Sequence, residues 1–513
     1  MNEAFTAALS SVFDPHALLV IAISAVYGIF VGSIPGLTAT MAVALVVPMT
    51  LYLSDVEAVA AIVTTVTCSI FAGDIPSALV RIPGTPASAA YVADAYALTQ
   101  RGRAAEGLGV SLLFSVLGGL TGVLVLICAA PQLAKLAAQF TSYEYFWLYL
   151  LGLTCAAVVS EDSRVKGALA LLLGLLLSTI GFGTDYSAPR LTFGWDELAT
   201  GINFIPAMIG LFGVSEVLRN ALYLDLEPDG TRHRTSQPGH KQENVSQRPV
   251  SLLATVAPLA WRRKFHLLRS SVIGAFVGML PGAGADIAAW ISYAVSKRLS
   301  PTPEQYGHGS MEGLGDASGA NNAALGGAWI PALVFGIPGD SVTAIAIGVL
   351  LMKNITPGPD IFDATKDMHQ TTLVYSIYIT FLLANLLLIP VGLVAIRAGT
   401  WLVHIPRAIL LPVILVFCVV GSYALNASYF DVGVMLAMGV VGFSLERHHV
   451  PLGPVVLGIL LGAPLEHKFI QCLMKSSSAL AFVASPLSIA LALAATALWL
   501  APGMLSLVRR KIG

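Results

Sequence analysis

Ionisable side chains are rare in the apolar stretches of this chain, and the few present stand beside Pro-Gly breaks. Asp74 and Arg81 flank the phrase Ile75-Pro76, five residues, Ile82-Pro83-Gly84. Asp286 follows Pro281-Gly282-Ala283-Gly284-Ala285, Asp340 directly follows Ile337-Pro338-Gly339, and Asp316 lies just before Asn321-Asn322. A charge at membrane depth is costly, so such a residue points to function. The breaks supply the chemistry. Each leaves carbonyls unpaired at the end of one half-helix and N–H groups unpaired at the start of the next. Carbonyls beside a carboxylate offer hard oxygen ligands to a cation, and N–H groups at a positive dipole end receive an anion. Thr38, Thr40, Thr85, Ser88, Ser341 and Thr343 add hydroxyls at the half-helix starts.

Structural roles compete for the same residues. Asp74 and Arg81 are seven residues apart, two helical turns, which suits an ion pair. Asp340 and Asp286 stand where a helix N-cap is wanted. Asn321 and Asn322 suit amides that glue helices together. With both readings kept, the anion-binding candidates are Pro35, Gly36 and Thr38, then Arg81, Gly84, Thr85 and Ser88, then Gly282, Asn321, Asn322, Gly339 and Ser341. The candidates for a coupling cation, Na+ or H+, are Asp74, Asp286 and Asp340.

The breaks come in pairs. Gly28-Ile29-Phe30-Val31-Gly32-Ser33-Ile34-Pro35-Gly36 returns about 246 residues later as Gly274-Ala275-Phe276-Val277-Gly278-Met279-Leu280-Pro281-Gly282. The Ile-Pro, Ile-Pro-Gly phrase at 75–84 returns at 330–339. Interrupted apolar segments at matching places in two halves point to a transporter's binding site. As one helix, residues 16–53 would approach roughly 60 Å against a hydrocarbon core of about 30 Å, so the first break must fold that segment into a hairpin. Residues 268–298 repeat the problem.

Composition agrees with a membrane setting. Of 513 residues, 56% are hydrophobic and 11% charged, against roughly 25% charged in soluble domains. The net charge of −1 argues against a nucleic-acid partner. The five cysteines are scattered, without metal-ligand spacing, and no HExxH, GxSxG or Walker A sequence occurs. No catalytic residue, metal or cofactor is expected, and the chain does not read as an enzyme.

Charge sets orientation. No Lys or Arg precedes Arg81, whereas the second hairpin is flanked by Arg262, Arg263, Lys264 and Arg269 and by Lys297 and Arg298. The positive-inside rule places the ends of the first hairpin outside and those of the second inside. The expected fold is an all-α polytopic membrane protein of two inverted-topology repeats with discontinuous helices, about 11–13 membrane segments in all. Its parts are a first repeat at 1–220, a polar cytoplasmic linker at 221–266, a second repeat at 267–470, and an extra helix with a basic tail at 471–513. The N-terminus is expected outside and the C-terminus in the cytoplasm.

At the breaks the sequence resembles the large membrane subunit of the tripartite tricarboxylate transporters, the TctA family. The matching segments are 31–42, 82–90, 278–284, Asn321-Asn322-Ala323, Gly336-Ile337-Pro338-Gly339 and Thr356-Pro357-Gly358-Pro359, in the family's order. The resemblance implies a bacterial inner-membrane permease that works with a periplasmic solute-binding protein and a small membrane subunit. It implies uptake of a small organic anion, a carboxylate such as citrate, with a cation gradient. The chain departs from the family pattern at the presumed site. Asp74 and Asp286 replace hydroxyl residues, Arg81 an Asn, Asp340 a Ser, and Ser318 a Glu, which bears on the identity of anion and cation. The competing class is a channel, which needs a continuous filter or charged rings. Paired breaks suit alternating access better.

Overall fold

The computed structural model describes residues 2–159, 163–183, 188–226, 249–282, 284–403, 407–476 and 478–512. Among the described residues the fold is almost wholly helical, with one two-residue antiparallel ladder pairing Gly181–Phe182 with Pro189–Arg190. The first half comprises α1 (Asn2–Val12), α2 (Pro15–Gly32), α3 (Ala39–Thr50), α4 (Asp55–Ala72), α5 (Asp74–Val80), α6 (Val92–Gln100), α7 (Ala104–Ala137), α8 (Ser142–Val159), α9 (Arg164–Ser178), α10 (Phe204–Met208) and α11 (Ser215–Leu226). The second half comprises α12 (Pro249–Arg262), α13 (Lys264–Gly278), α14 (Gly284–Leu299), α15 (Met311–Phe335), α16 (Ser341–Met352), α17 (Met368–Val403), α18 (Arg407–Asn426), α19 (Tyr429–Arg447), α20 (Leu452–Lys475) and α21 (Pro486–Ile512). Among the described residues, eight helical stretches are long and apolar enough to cross a membrane. Shorter apolar helices include α3 and α16, each lying just beyond a break.

Local sequence sets the element ends. Asp14 accepts the His16 N–H at 2.9 Å ahead of Pro15, which starts α2. Ser54 and Glu57 form a reciprocal capping box on α4. Ser310 caps α15 by accepting from Gly313 at 3.0 Å. Between α10 and α11 one turn widens into a π-helix over Ile209–Val214, and this turn packs on α19.

Small residues bring the helices close, as expected where lipid supplies no drive for helix association. Gly28 and Gly32 of α2 lie on the α4 backbone at Thr65 and Ser69. Gly274 and Gly278 of α13 lie on α15 at Ala320 and Ala324. Gly118 and Gly122 of α7 meet Gly319 and Ala323 of α15. The four helices α4, α7, α15 and α17 form the centre, and Trp329 packs edge-on against Phe381 with ring centroids 5.6 Å apart.

Two features differ from the sequence reading. A helix, α1, precedes the first hairpin and packs on α17. The expected linker at 221–266 is helical where it is described. α11 runs to Leu226, and α12 buries Leu252, Val256 and Ala260 against α7. α12 is itself mostly apolar and buries one face, so the polar composition of the residues before it hid a helix. Residues 227–248 of that stretch lie outside the described residues.

Candidate functional site

Four breaks interrupt the helices, and each folds back on a neighbour. At the first, Ser33 closes α2 through its Oγ to the Ile29 carbonyl at 2.7 Å. Pro35 is buried, Gly36 turns with φ +89° beside the Asn220 amide of α11, and Thr38 caps α3 by accepting from Met41 at 3.2 Å. At the second, Arg81 ends α5 in the left-handed conformation, φ +58°. Gly84 then lies so close to Gly73 that a Cβ would come within 2.6 Å of the Gly73 carbonyl oxygen. The Gly84 N–H donates to that carbonyl at 3.2 Å. Thr85 and Ser88 cap one another: the Thr85 N–H donates to Ser88 Oγ at 3.1 Å and the Ser88 N–H to Thr85 Oγ1 at 3.2 Å. Ser77 adds a bond to Ser88 Oγ at 3.0 Å.

At the third break, the Gly282 N–H donates across to the Gly339 carbonyl at 2.9 Å, joining the third break to the fourth. Ala283 lies outside the described residues. At the fourth, Gly336 takes the left-handed turn, φ +68°, and Gly339 presses against Ala328 and the Gly278 carbonyl. Asp340 caps α16: it accepts the Thr343 N–H at 2.8 Å while Thr343 Oγ1 accepts the Asp340 N–H at 2.9 Å. Ser341 begins α16. Across the halves, Asp286 of α14 accepts the Ala87 N–H at 3.1 Å, which ties the second break to the third. The amides of Gly84 and Thr85, among the anion-binding candidates, thus have partners within the break.

The Asp74–Arg81 pair does not form. Asp74, 2% exposed, accepts from Tyr91 Oη at 2.6 Å and from Ser111 Oγ, and Asn321 also bonds Tyr91. Arg81 is exposed and points its guanidinium over the Tyr96 ring, 5.9 Å from the centroid. The reason is geometric. Arg81 sits in the left-handed turn that leaves the helix, so it no longer lies on Asp74's face two turns on. Asp74 is therefore a buried carboxylate held by two hydroxyls. Asn322 is buried, and its amide has no partner among the described residues. Asp316 is held instead by Arg269 at 2.9 Å and Ser296 at 2.6 Å, near the start of α15.

Sequence reasoning centred on the breaks missed Tyr91, Ser111, Asp94 and Asn220. Asp94 is the most heavily bonded of these. The signal for it was the Gly307-His308-Gly309-Ser310 run before α15, whose backbone can gather N–H groups around an anion. An open cleft of about 590 Å³, lined by Ser10, Asp14, Ser54, Asp55, Glu57 and His369, lies between the C-terminal end of α1 and the N-terminal end of α4. No break residue lines it, so the cleft is separate from the region where the breaks meet.

Apolar crossing helices, paired breaks and a buried carboxylate beside one of them define a polytopic membrane protein of the transporter class. Comparison with known proteins gives the family: residues 18–457 match the tripartite tricarboxylate transporter TctA family, and the chain belongs to it. A relative from Agrobacterium vitis, described as an uncharacterized 52.8 kDa protein in the TAR-I ttuC' 3'region, is 32% identical over 470 residues, covering 90% of this chain and 88% of the relative. A second, an uncharacterized protein in the TAR-II ttuC' 3'region of the same organism, is 35% identical over 219 residues, covering 42% of this chain and 88% of its own length. No solved structure gives a significant match.

Proposed function

We propose that this chain is the permease subunit of a binding-protein-dependent secondary transporter. It takes up a small di- or tricarboxylate with Na+ or H+ across the bacterial inner membrane. The observation that carries the reading is the interlock of the breaks. Gly282 is bonded to Gly339 and Asp286 to Ala87, so second-half and first-half breaks meet in one region beside Asp74. A periplasmic solute-binding protein and a small membrane subunit are the partners implied by a tripartite family.

The two halves run in opposite senses across the bilayer in this reading, with the N-terminus periplasmic and the C-terminus cytoplasmic. Contacts between distant residues support it. Arg103 reaches Met311, and Arg263 pairs with Glu312, so basic residues expected inside gather at the start of α15. Lys353 and His369, after α16 and at the start of α17, gather instead with Asp55 at the start of α4. Lys166 reaches the His448 carbonyl at 2.7 Å, so the basic residues of these two connections, one in each half, share one end of the molecule.

For the cargo, Arg81 supplies the exposed cation, and the hydroxyls of Thr85, Ser88 and Ser341 supply donors once the local caps open. Asp74 is the first candidate for the driving cation, because its two partners are neutral donors. Asp286 and Asp340 are the alternatives, each already serving a backbone N–H. Counterflow of labelled di- and tricarboxylates in proteoliposomes containing the chain and its small subunit tests the function. Saturable exchange that an opposing gradient accelerates is expected. Flux that neither saturates nor responds to cargo on the far side would make the protein a channel.

A further inference from the structure

Asp94 joins the two halves more firmly than any break residue, yet nothing in the transport reading uses it. It is fully buried, and one carboxylate oxygen accepts the backbone N–H groups of Gly307 at 2.8 Å, Gly309 at 2.7 Å and Ser310 at 2.8 Å. The other accepts Tyr293 Oη at 2.6 Å. All four donors belong to the second half: α14, the loop after it and the cap of α15. Asp94 lies on α6, in the arm just beyond the second break. Seven residues earlier on each segment, Asp286 takes the Ala87 N–H. The arm and α14 are therefore tied twice, at the break and again two turns nearer the Arg101–Arg103 end. Gly309 lies beside the Arg101 guanidinium there.

The arm beyond the fourth break, α16, is tied to the opposite end of the molecule. Lys353 at its C-terminus donates to the Leu53 carbonyl at 2.6 Å and stands 3.9 Å from Asp55. Each end thus carries one tie between an arm and the other half, and the two are unequal. Asp94 is sealed from water and satisfied by four donors. The Lys353 side chain is 17% exposed, with one carbonyl and a loose ion pair to an Asp55 that is itself 27% exposed, and solvent weakens such pairs.

We propose that Asp94 and Lys353 are opposed clasps. Asp94 holds the Arg101 side of the transport site shut, Lys353 holds the Ser54 side, and their inequality sets the resting carrier closed toward the Arg101 side. Opening that side requires the α6 arm to leave α14 and the α15 cap, stripping three backbone N–H groups and a carboxylate of their partners at once. Opening the other side breaks a contact that water can replace. This inference rests on the alternating-access reading above.

The test is sided labelling of a reporter, Pro86→Cys, an exposed position at the second break, in the full chain with its five native cysteines replaced. A membrane-impermeant maleimide is applied to right-side-out and to inside-out vesicles. The parent reporter should label chiefly from the Ser54 side. Asp94→Asn should shift the ratio several-fold toward the Arg101 side. Tyr293→Phe, which removes one of four donors, should shift it less in the same direction, and Lys353→Met should shift it the other way. An unchanged ratio in Asp94→Asn, with the parent labelled from one side, overturns the clasp while leaving the carrier intact. Faster labelling from both sides with a lowered melting temperature makes Asp94 a structural anchor only and also overturns it. Equal labelling of the parent from both sides removes the carrier reading, and the clasp with it.

Discussion

At the second break the chain leaves its helix through Arg81 at φ +58°. At the fourth it leaves through Gly336 at φ +68°, 255 residues later and at the matching place in the repeated phrase. Each turn is followed by Ile-Pro-Gly, and each of those glycines is pressed against a helix backbone, Gly84 on Gly73 and Gly339 on Ala328. The positions of Gly73 and Ala328 also differ by 255. Two copies of one phrase thus build one corner twice. The polar groups around the corners differ. The second break caps itself with the hydroxyls of Thr85 and Ser88 and places a carboxylate, Asp74, at a helix junction where the fourth has the indole of Trp329. The fourth break uses its carboxylate, Asp340, as the cap. Backbone form is shared, whereas the carboxylate is held by two hydroxyls at one corner and caps a helix at the other.

The largest effect should come from the shared feature. A Cβ at Gly84 would overlap the Gly73 backbone, and one at Gly339 would fall 2.7 Å from the Gly278 carbonyl oxygen, where nothing flexible can yield. Gly84→Val and Gly339→Val should each abolish uptake while the chain remains in the membrane, read by uptake against expression. If only one does so, the corners are not equivalent.

A smaller but sharper effect separates the carboxylates. Asp74→Asn places an amide N–H₂ where two hydroxyls already donate, and should abolish or flatten the dependence of uptake on Na+ or pH. Because Arg81 and Asp74 are not paired, adding Arg81→Gln should not rescue it. The two changes should add to within about 0.5 kcal/mol in a double-mutant cycle on stability. A rescue would restore the ion pair that the geometry denies.

Asp340→Ala removes a cap and should lower stability by about 0.5–2 kcal/mol, leaving the cation dependence of uptake unchanged. Thermal unfolding beside uptake assays distinguishes this from a coupling role. Thr38→Ala, which removes the cap of α3, should resemble it.

The smallest effect lies in the loop that follows α16. Thr365 holds the Asp363 carboxylate below its ordinary value of 3.8 by hydrogen bonds from its hydroxyl and backbone N–H. A depressed carboxylate contributes stability that is present above pH 3.8 and lost as pH falls through its folded value. Asp363→Asn should remove that acid limb from the stability profile and lower the plateau above about pH 5 slightly and evenly, read by melting temperature against pH.

The breaks were legible in the sequence because Pro and Gly act locally. So were the hairpins, since a segment too long for the bilayer must fold back, and the family, since its motifs lie at the breaks. The partners of Asp74 were not legible: Tyr91 and Ser111 lie 17 and 37 residues away, and the pattern offered Arg81 at seven. Asp94 was hidden for the same reason, its donors being 199 to 216 residues distant. α12 was read as solvated because its apolar run was averaged with the polar residues before it. Asp340 was ambiguous between cap and ligand, and only the reciprocal bond with Thr343 assigns the cap.

The central claim is that two halves of opposite orientation bring their breaks together from the two sides of the membrane. Equivalent positions just beyond the two hairpins test it most directly: Ser54→Cys after α3 and Glu304→Cys after α14, both exposed. In a background lacking native cysteines, an impermeant maleimide should label Ser54→Cys only from the periplasmic side and Glu304→Cys only from the cytoplasmic side. Labelling of both from one side would contradict the inverted arrangement and the transport site built on it.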